Sequence, residues 1–490
     1  MPVLKLSTPG VYVQEIPSLP PSVAEVETAI PAFIGYTEKA DQFVAGDLKM
    51  VPNKINSLGE YITFYGGAAV EINDSINVTL KNLGSNQYDV LFSLDAAKLS
   101  KHNLYYSIKH FYDNGGGTAF IVSVDNYTHA AGVVSKDDLK AGLTAVYDVD
   151  EVTLLCIPEA NKNDSGGYKE VVQAMITQAY ELKDRFAIID PFKVTPKNSA
   201  DPNGDIDADV LTIRNSALGV DENKFAAAYY PNIVTSYNYR FNSDVEPKNN
   251  IDLLKIDAYT WAGAGVDPAP TAVGTVVGTL KGSVIYNKID SEIKKQYVVL
   301  PPSPAMVGLY TRVDLNKGVW KAPANEALLS VIGPDLAVSS REQESLNVDS
   351  ASGKSINVIR TFPGFGTLVW GARTLNGNDN EWRYISVRRF FNMVEESIKK
   401  SSQWAVFEPN TAGTWVKMQA MIENYLYLKW REGALAGVKP EQAFYVKVGL
   451  GTTMTSLDIL EGRLNIEIGL AVARPAEFIV LKFTQLLQQS

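Results

Sequence analysis

The 490-residue chain holds few side chains suited to covalent chemistry: three histidines, His102, His110 and His129, and one cysteine, Cys156. No histidine lies beside another histidine or a cysteine at the spacing of a tetrahedral zinc site, so no zinc site is expected. Cys156 sits in the apolar run "VTLLCIP" and reads as a small buried hydrophobe. One cysteine allows no intrachain disulfide, which suits a reducing compartment. There is no G-x-x-x-x-G-K-[ST] loop for a nucleoside triphosphate and no G-x-S-x-G nucleophile elbow. "WAGAGVDP" places Gly263 and Gly265 in a glycine-rich turn, but it departs from G-x-G-x-x-G and no helix follows. Two acidic clusters remain. Asp148, Asp150 and Glu151 share "DVDEV"; Asp201, Asp205, Asp207 and Asp209 share "DPNGDIDADV", which resembles part of a calcium loop without its closing Glu. Solvated loops are the expected reading of both. A carboxylate-only hydrolase using Asp148, Asp150 or residues 201–209 is the alternative they leave open. No cofactor and no metal are expected.

Hydrophobic residues make up 46% of the chain and charged residues 20%, so it can bury large cores and is no disordered scaffold. The length suggests about two to four domains. A net charge of −10 argues against a general nucleic-acid binder, which needs a basic face for phosphates. No apolar run approaches the roughly 18 residues that span a bilayer. "MPVLKLSTPG" lacks the charged and apolar regions of a signal peptide, so synthesis and first use in the cytoplasm are expected.

Alternating and helical periodicities supply the elements. "STPGVYVQEI" alternates over Val11, Tyr12, Val13, Gln14, Glu15 and Ile16 like a strand, yet Pro17, Pro20 and Pro21 close it without a hairpin partner. A lone strand has no stability in water, so it must join a sheet elsewhere. "AIPAFIGYTEKA", "TAFIVSV", "VTLLCIP", "RFAIIDP" and "KFAAAYYP" read as buried strands. "NKINSLGEYITFYGG" reads as a short strand and a helix stopped by Gly66. Helices are expected at Leu104, Ile108 and Phe111 and over 168–183, which together imply an α/β layer with a largely parallel sheet. Residues 68–100 fit no pattern. Residues 240–355 are rich in Gly, Pro, Ala and Val, with few helical runs before "EALLSVIG", and suggest partly an inserted β-rich region and partly a return to the main domain. Near the end, Val387, Phe390, Phe391, Val394 and Ile398 line one helical face, and Trp415, Met418, Ile422, Tyr425 and Leu426 another. Glu395–Lys399 and Glu396–Lys400 fall at i,i+4 on the outer face. "LNIEIGLAVARP" and "EFIVLKF" read as closing strands.

The last third carries a resemblance. "IRTFPGFGTLVWGARTL" (359–375), "EWRYISVRR" (381–389), "QWAVFEPN" (403–410), "LKWREGALAG" (428–437) and "LNIEIGLAVARPAEFIV" (464–480) resemble, in order, the tail sheath family of contractile phage tails and phage-tail-like injection systems. "TPGVYVQEI" and "IKHFYDNGGGTAFIVSV" are similar to earlier elements of that family. Residues 68–100 and 240–355 depart from it. The resemblance implies a multi-domain α/β (α+β) fold: an N-terminal arm (1–25), outer sheath domains (26–355, with a variable β-rich region about 240–330), an inner C-terminal domain (356–470) and a C-terminal arm (471–490). It implies a structural subunit, not an enzyme, that polymerises around an inner tube and contracts to drive the tube through a target envelope. An extracellular injection system is the expected setting, with a phage virion tail as the alternative. It further implies that Val11–Ile16 and Phe478, Ile479, Val480, Leu481, Lys482 and Phe483 are strands added to neighbouring subunits. Lys399, Lys400, Lys417 and Lys429 are then candidate inner-tube contacts. The implied partners are neighbouring sheath subunits, inner tube protein, baseplate and terminal cap proteins and paralogous sheath proteins, with no nucleic acid and no membrane insertion. Assembly in a bacterial cytoplasm follows, with the particle either released or cell-anchored.

Overall fold

The computed structural model describes residues 22–71, 76–95, 98–195, 205–240, 251–263, 266–267, 271–349 and 351–481. The expected strand Val11–Ile16 lies outside the described residues, as do Lys482, Phe483, Asp201 and Gly265. The chain forms two compact units, residues 22–26 with 394–473 and residues 27–393 with 474–481.

Fourteen strands belong to the larger unit: β1 (Pro31–Thr37), β2 (Asn53–Ile55), β3 (Ile76–Gly84), β4 (Gln87–Leu94), β5 (Ala119–Asn126), β6 (Leu154–Cys156), β7 (Phe186–Ile189), β8 (Ala226–Tyr230), β9 (Ile233–Asn238), β10 (Ile256–Trp261), β11 (Tyr297–Leu300), β12 (Val331–Pro334), β13 (Ile356–Phe362) and β14 (Gly366–Trp370). Eight of them make one sheet in the order β14-β13-β8-β7-β6-β1-β5-β2. From β13 to β5 every pairing is parallel, and the antiparallel pairings are the two at its edges. The apolar runs read as strands are these parallel strands. They are apolar throughout because helices cover both faces of the sheet. Leu104–Asp113 and Ser303–Lys317 pack on one face. Lys136–Ala145, Ser165–Leu182 and Ile206–Ser216 pack on the other. Gly308 lets the first two helices close: a Cβ there would lie 2.5 Å from the Phe111 carbonyl oxygen.

Several sequence expectations are corrected. Residues 240–355 are not simply β-rich: the helix Ser303–Lys317 is buried in the main core. "EALLSVIG" is not a helix. Asn325 and Ser330 take positive φ, Ala327 bridges Leu368 on β14, and β12 begins at Val331. Pairing with the sheet edge outweighs the local helical preference there. Residues 68–100 contain the hairpin β3–β4, and β10 adds to it in parallel. Its small core joins Ile76, Val78 and Leu80 to Ile256, Ile289 and Ile293, so residues 68–100, which fit no pattern alone, are completed by the 240–355 region. Residues 356–370, assigned from the sequence to the C-terminal domain, supply β13 and β14 to the main sheet.

Candidate assembly site

The smaller unit is built on the helix Ala412–Arg431. It buries Met418, Met421, Ile422, Tyr425 and Leu426 on one stripe, close to the expected face. Beside it runs a two-stranded ribbon, β15 (Phe444–Val448) and β16 (Ile466–Leu470), antiparallel with Val446 opposite Ile468. Val446 is buried, whereas the opposite face is polar. There the Tyr445 hydroxyl donates to Glu467 at 2.7 Å, and Lys447 sits 4.5 Å above the Tyr445 ring. Gly469 makes room for that ring, because a Cβ at 469 would lie 2.2 Å from it.

The hydrogen-bond phase of the ribbon decides which edges stay open. Ala471 N–H donates to the Ala443 carbonyl at 2.8 Å, so residues 443 and 471 are a bonded rung. Bonded and non-bonded rungs alternate in an antiparallel pair. The rungs 445–469 and 447–467 are therefore bonded, and Phe444, Val446, Val448, Ile466, Ile468 and Leu470 turn their backbone groups outward. On β15, the outward Val446 carbonyl accepts from Gln419 of the long helix at 3.3 Å. On β16, the outward groups of Ile466, Ile468 and Leu470 meet no partner among the described residues. Three N–H and three C=O groups thus form an open strand edge, a template for an incoming strand.

The start of the described chain is fixed to this unit. Ala24 N–H donates to Ser401 Oγ and Val26 N–H to Ser397 Oγ, both at 3.1 Å. Glu25 forms an ion pair with Lys429, which also bonds Glu432 at 2.8 Å. Lys429 is only 6% exposed, which corrects its reading as an exposed cation. Burial alone would lower its pKa, but the two carboxylates outweigh that and hold it above the usual lysine value. Lys400 pairs with Glu396 at 3.5 Å, as expected, and Lys399 also reaches Glu396, at 3.1 Å. Lys417 is exposed. Phe478, Ile479, Val480 and Leu481 pair in no strand among the described residues and are 73 to 79% exposed.

The acidic clusters resolve differently. Asp205 caps the helix Ile206–Ser216 through Ala208 N–H, and Asp209 is buried, accepting from Thr195 and Tyr230. Asp148 and Asp150 are exposed. Among the described residues, no three His, Cys, Asp or Glu side chains gather as a metal site.

Residues 377–485 match the phage tail sheath C-terminal domain. The tail sheath protein of Burkholderia phage BcepMu is 23% identical over 372 residues, covering 67% of this chain and 74% of that protein. The sheath complex of an extracellular contractile injection system, PVC, in its contracted state is 29% identical with a TM-score of 0.62, covering 98% of both chains. The contracted helical sheath of the anti-feeding prophage is 28% identical with a TM-score of 0.62, covering 98% of this chain and 99% of that one. The chain is similar to tail sheath proteins along nearly its whole length. It is a contractile sheath subunit of mixed α/β fold, and its part is structural. The sheath subunit's open edge on β16, missed in the sequence, lies within the matched domain.

Proposed function

We propose that the subunit joins its neighbours by strand addition at the open edge of β16. The carrying observation is that edge, with six outward backbone groups, in a chain that also exposes the apolar segment Phe478–Leu481. Residues 11–16 of one subunit and 478–483 of another are the strands proposed to complete the sheet, with backbone hydrogen bonds as the joint. Proline-rich linkers favour extended chain, and an arm carrying Pro17, Pro20 and Pro21 is proposed to hold the joint while subunits reorient. Contraction then shortens and widens the sheath and drives an inner tube into a target envelope. Lys399, Lys400 and Lys417 are the cations left for a weak tube contact; Lys429 instead fixes the root of the N-terminal arm.

The baseplate, terminal cap proteins and paralogous sheath proteins are the further proposed partners. The near-complete coverage by two injection-system sheaths supports a phage-tail-like particle, assembled in a bacterial cytoplasm and then released or anchored. The BcepMu match keeps a phage tail as the second reading. Deleting residues 1–20 tests strand addition: a folded subunit that no longer polymerises is expected, and normal sheaths from the truncated chain overturn it.

A further inference from the structure

The apolar segment Phe478–Leu481 begins one residue after a firm attachment. The Glu477 carboxylate receives Nε of Arg373 at 2.9 Å and Nη2 at 2.5 Å, and the Tyr384 hydroxyl at 3.3 Å. Arg474 Nη1 donates to the Asn380 carbonyl at 2.7 Å. Arg373 is 3% exposed, and its remaining Nη1 bonds the Gly377 carbonyl. Its backbone is locked as well. Arg373 N–H donates to Asn357 Oδ1, and Asn357 Nδ2 donates to the Arg373 and Ala228 carbonyls. Asn357 lies on β13 and Ala228 on β8, while Leu375 N–H bonds the Ala226 carbonyl of β8. Glu477 is therefore two side chains away from β8, an inner strand of the eight-stranded sheet.

A buried ion pair contributes little net stability, because desolvation offsets the attraction; what it fixes is geometry. The two-pronged guanidinium contact fixes both position and direction, which a lysine point charge does not. We infer that Arg373 is a positioning residue that sets where the C-terminal arm leaves the main sheet and passes tension from arm to sheet when the sheath contracts. The inference rests on reading residues 478–483 as an inter-subunit strand.

The test uses the full chain assembled into sheaths, with Glu477→Gln and Arg373→Lys variants and a photo-crosslinking residue at Val480. Glu477→Gln changes only the arm side and leaves the buried Arg373 in place, so it keeps the test informative if Arg373→Lys folds poorly. For Glu477→Gln we expect a lower melting temperature, because Arg373 stays buried with its charge unpaired. Hydrogen exchange over 474–481 should be about tenfold faster in free subunits. Its sheaths should assemble but break into short stacks on contraction. Wild-type exchange together with intact contracted sheaths overturns the inference, since a pair that only staples the chain end would act no further. If wild-type Val480 crosslinks no neighbouring copy, the arm reading itself fails and this inference with it.

Discussion

Proline at 468 separates the two edges of β16. Ile468 faces Val446 in a non-bonded rung, so its N–H points away from β15 and serves no bond among the described residues. Proline fits such an edge position without breaking the ladder. Ile468 is only half-buried, so trimming it costs about 1 kcal/mol of apolar burial, small against the roughly 5–15 kcal/mol that holds a domain. An incoming strand loses more. One hydrogen bond disappears, at about 1 kcal/mol, and the carbonyl opposite is left dry at about 1–3 kcal/mol. Each joint weakens by roughly 2–4 kcal/mol, or about 30- to 900-fold. Ile468→Pro should therefore give a subunit with near-normal circular dichroism and melting that sediments as monomer and forms no tubes under negative stain. Glu467→Pro is the control. Its N–H belongs to the bonded rung with Lys447, so that variant should melt the ribbon itself. Normal tubes from Ile468→Pro, or equal folding losses from both prolines, would refute the assignment of the open edge.

Gly308→Ala should lower unfolding stability by about 1–3 kcal/mol in denaturant titration through overpacking against the Phe111 carbonyl, although alanine is the better helix former. Lys429→Met should speed amide exchange at Ala24 and Val26 by releasing Glu25, while the larger unit keeps its protection. Burial raises the carboxyls of Glu71, Glu159, Asp190 and Asp335 to about 7. Unfolded, they ionise near 4, so the native chain binds more protons in between, and melting temperature should climb as pH falls from about 8 to 5. Asp190→Asn should flatten that rise, and a melting temperature that falls over this range would contradict it.

Much of the larger unit was legible because strands buried on both faces are apolar throughout, as in "TAFIVSV" and "KFAAAYYP". The helices around Ile108 and Ile422 were legible from their apolar stripes. The β3–β4–β10 sheet was not read, although β3 alternates Ile76, Val78 and Leu80 on one buried face, because the core that face meets comes from residues 251–293, far along the chain. The strand pattern of β16 was visible, but its open edge depends on the rung phase set by Ala443 and Ala471, a property of pairing. Lys429 misled for a related reason. Its helical position suggested solvent, whereas it is buried and pairs with Glu25, which returns from the other end of the chain. A long separation, here 104 residues, also hid Arg373–Glu477.

Electron microscopy of the native particle before and after a mild acid or denaturant trigger tests the central claim most directly. A contractile sheath subunit predicts two tube states of the same chain, one long and narrow, the other short and wide. Monomers alone, or one tube of invariant length and width, would contradict it.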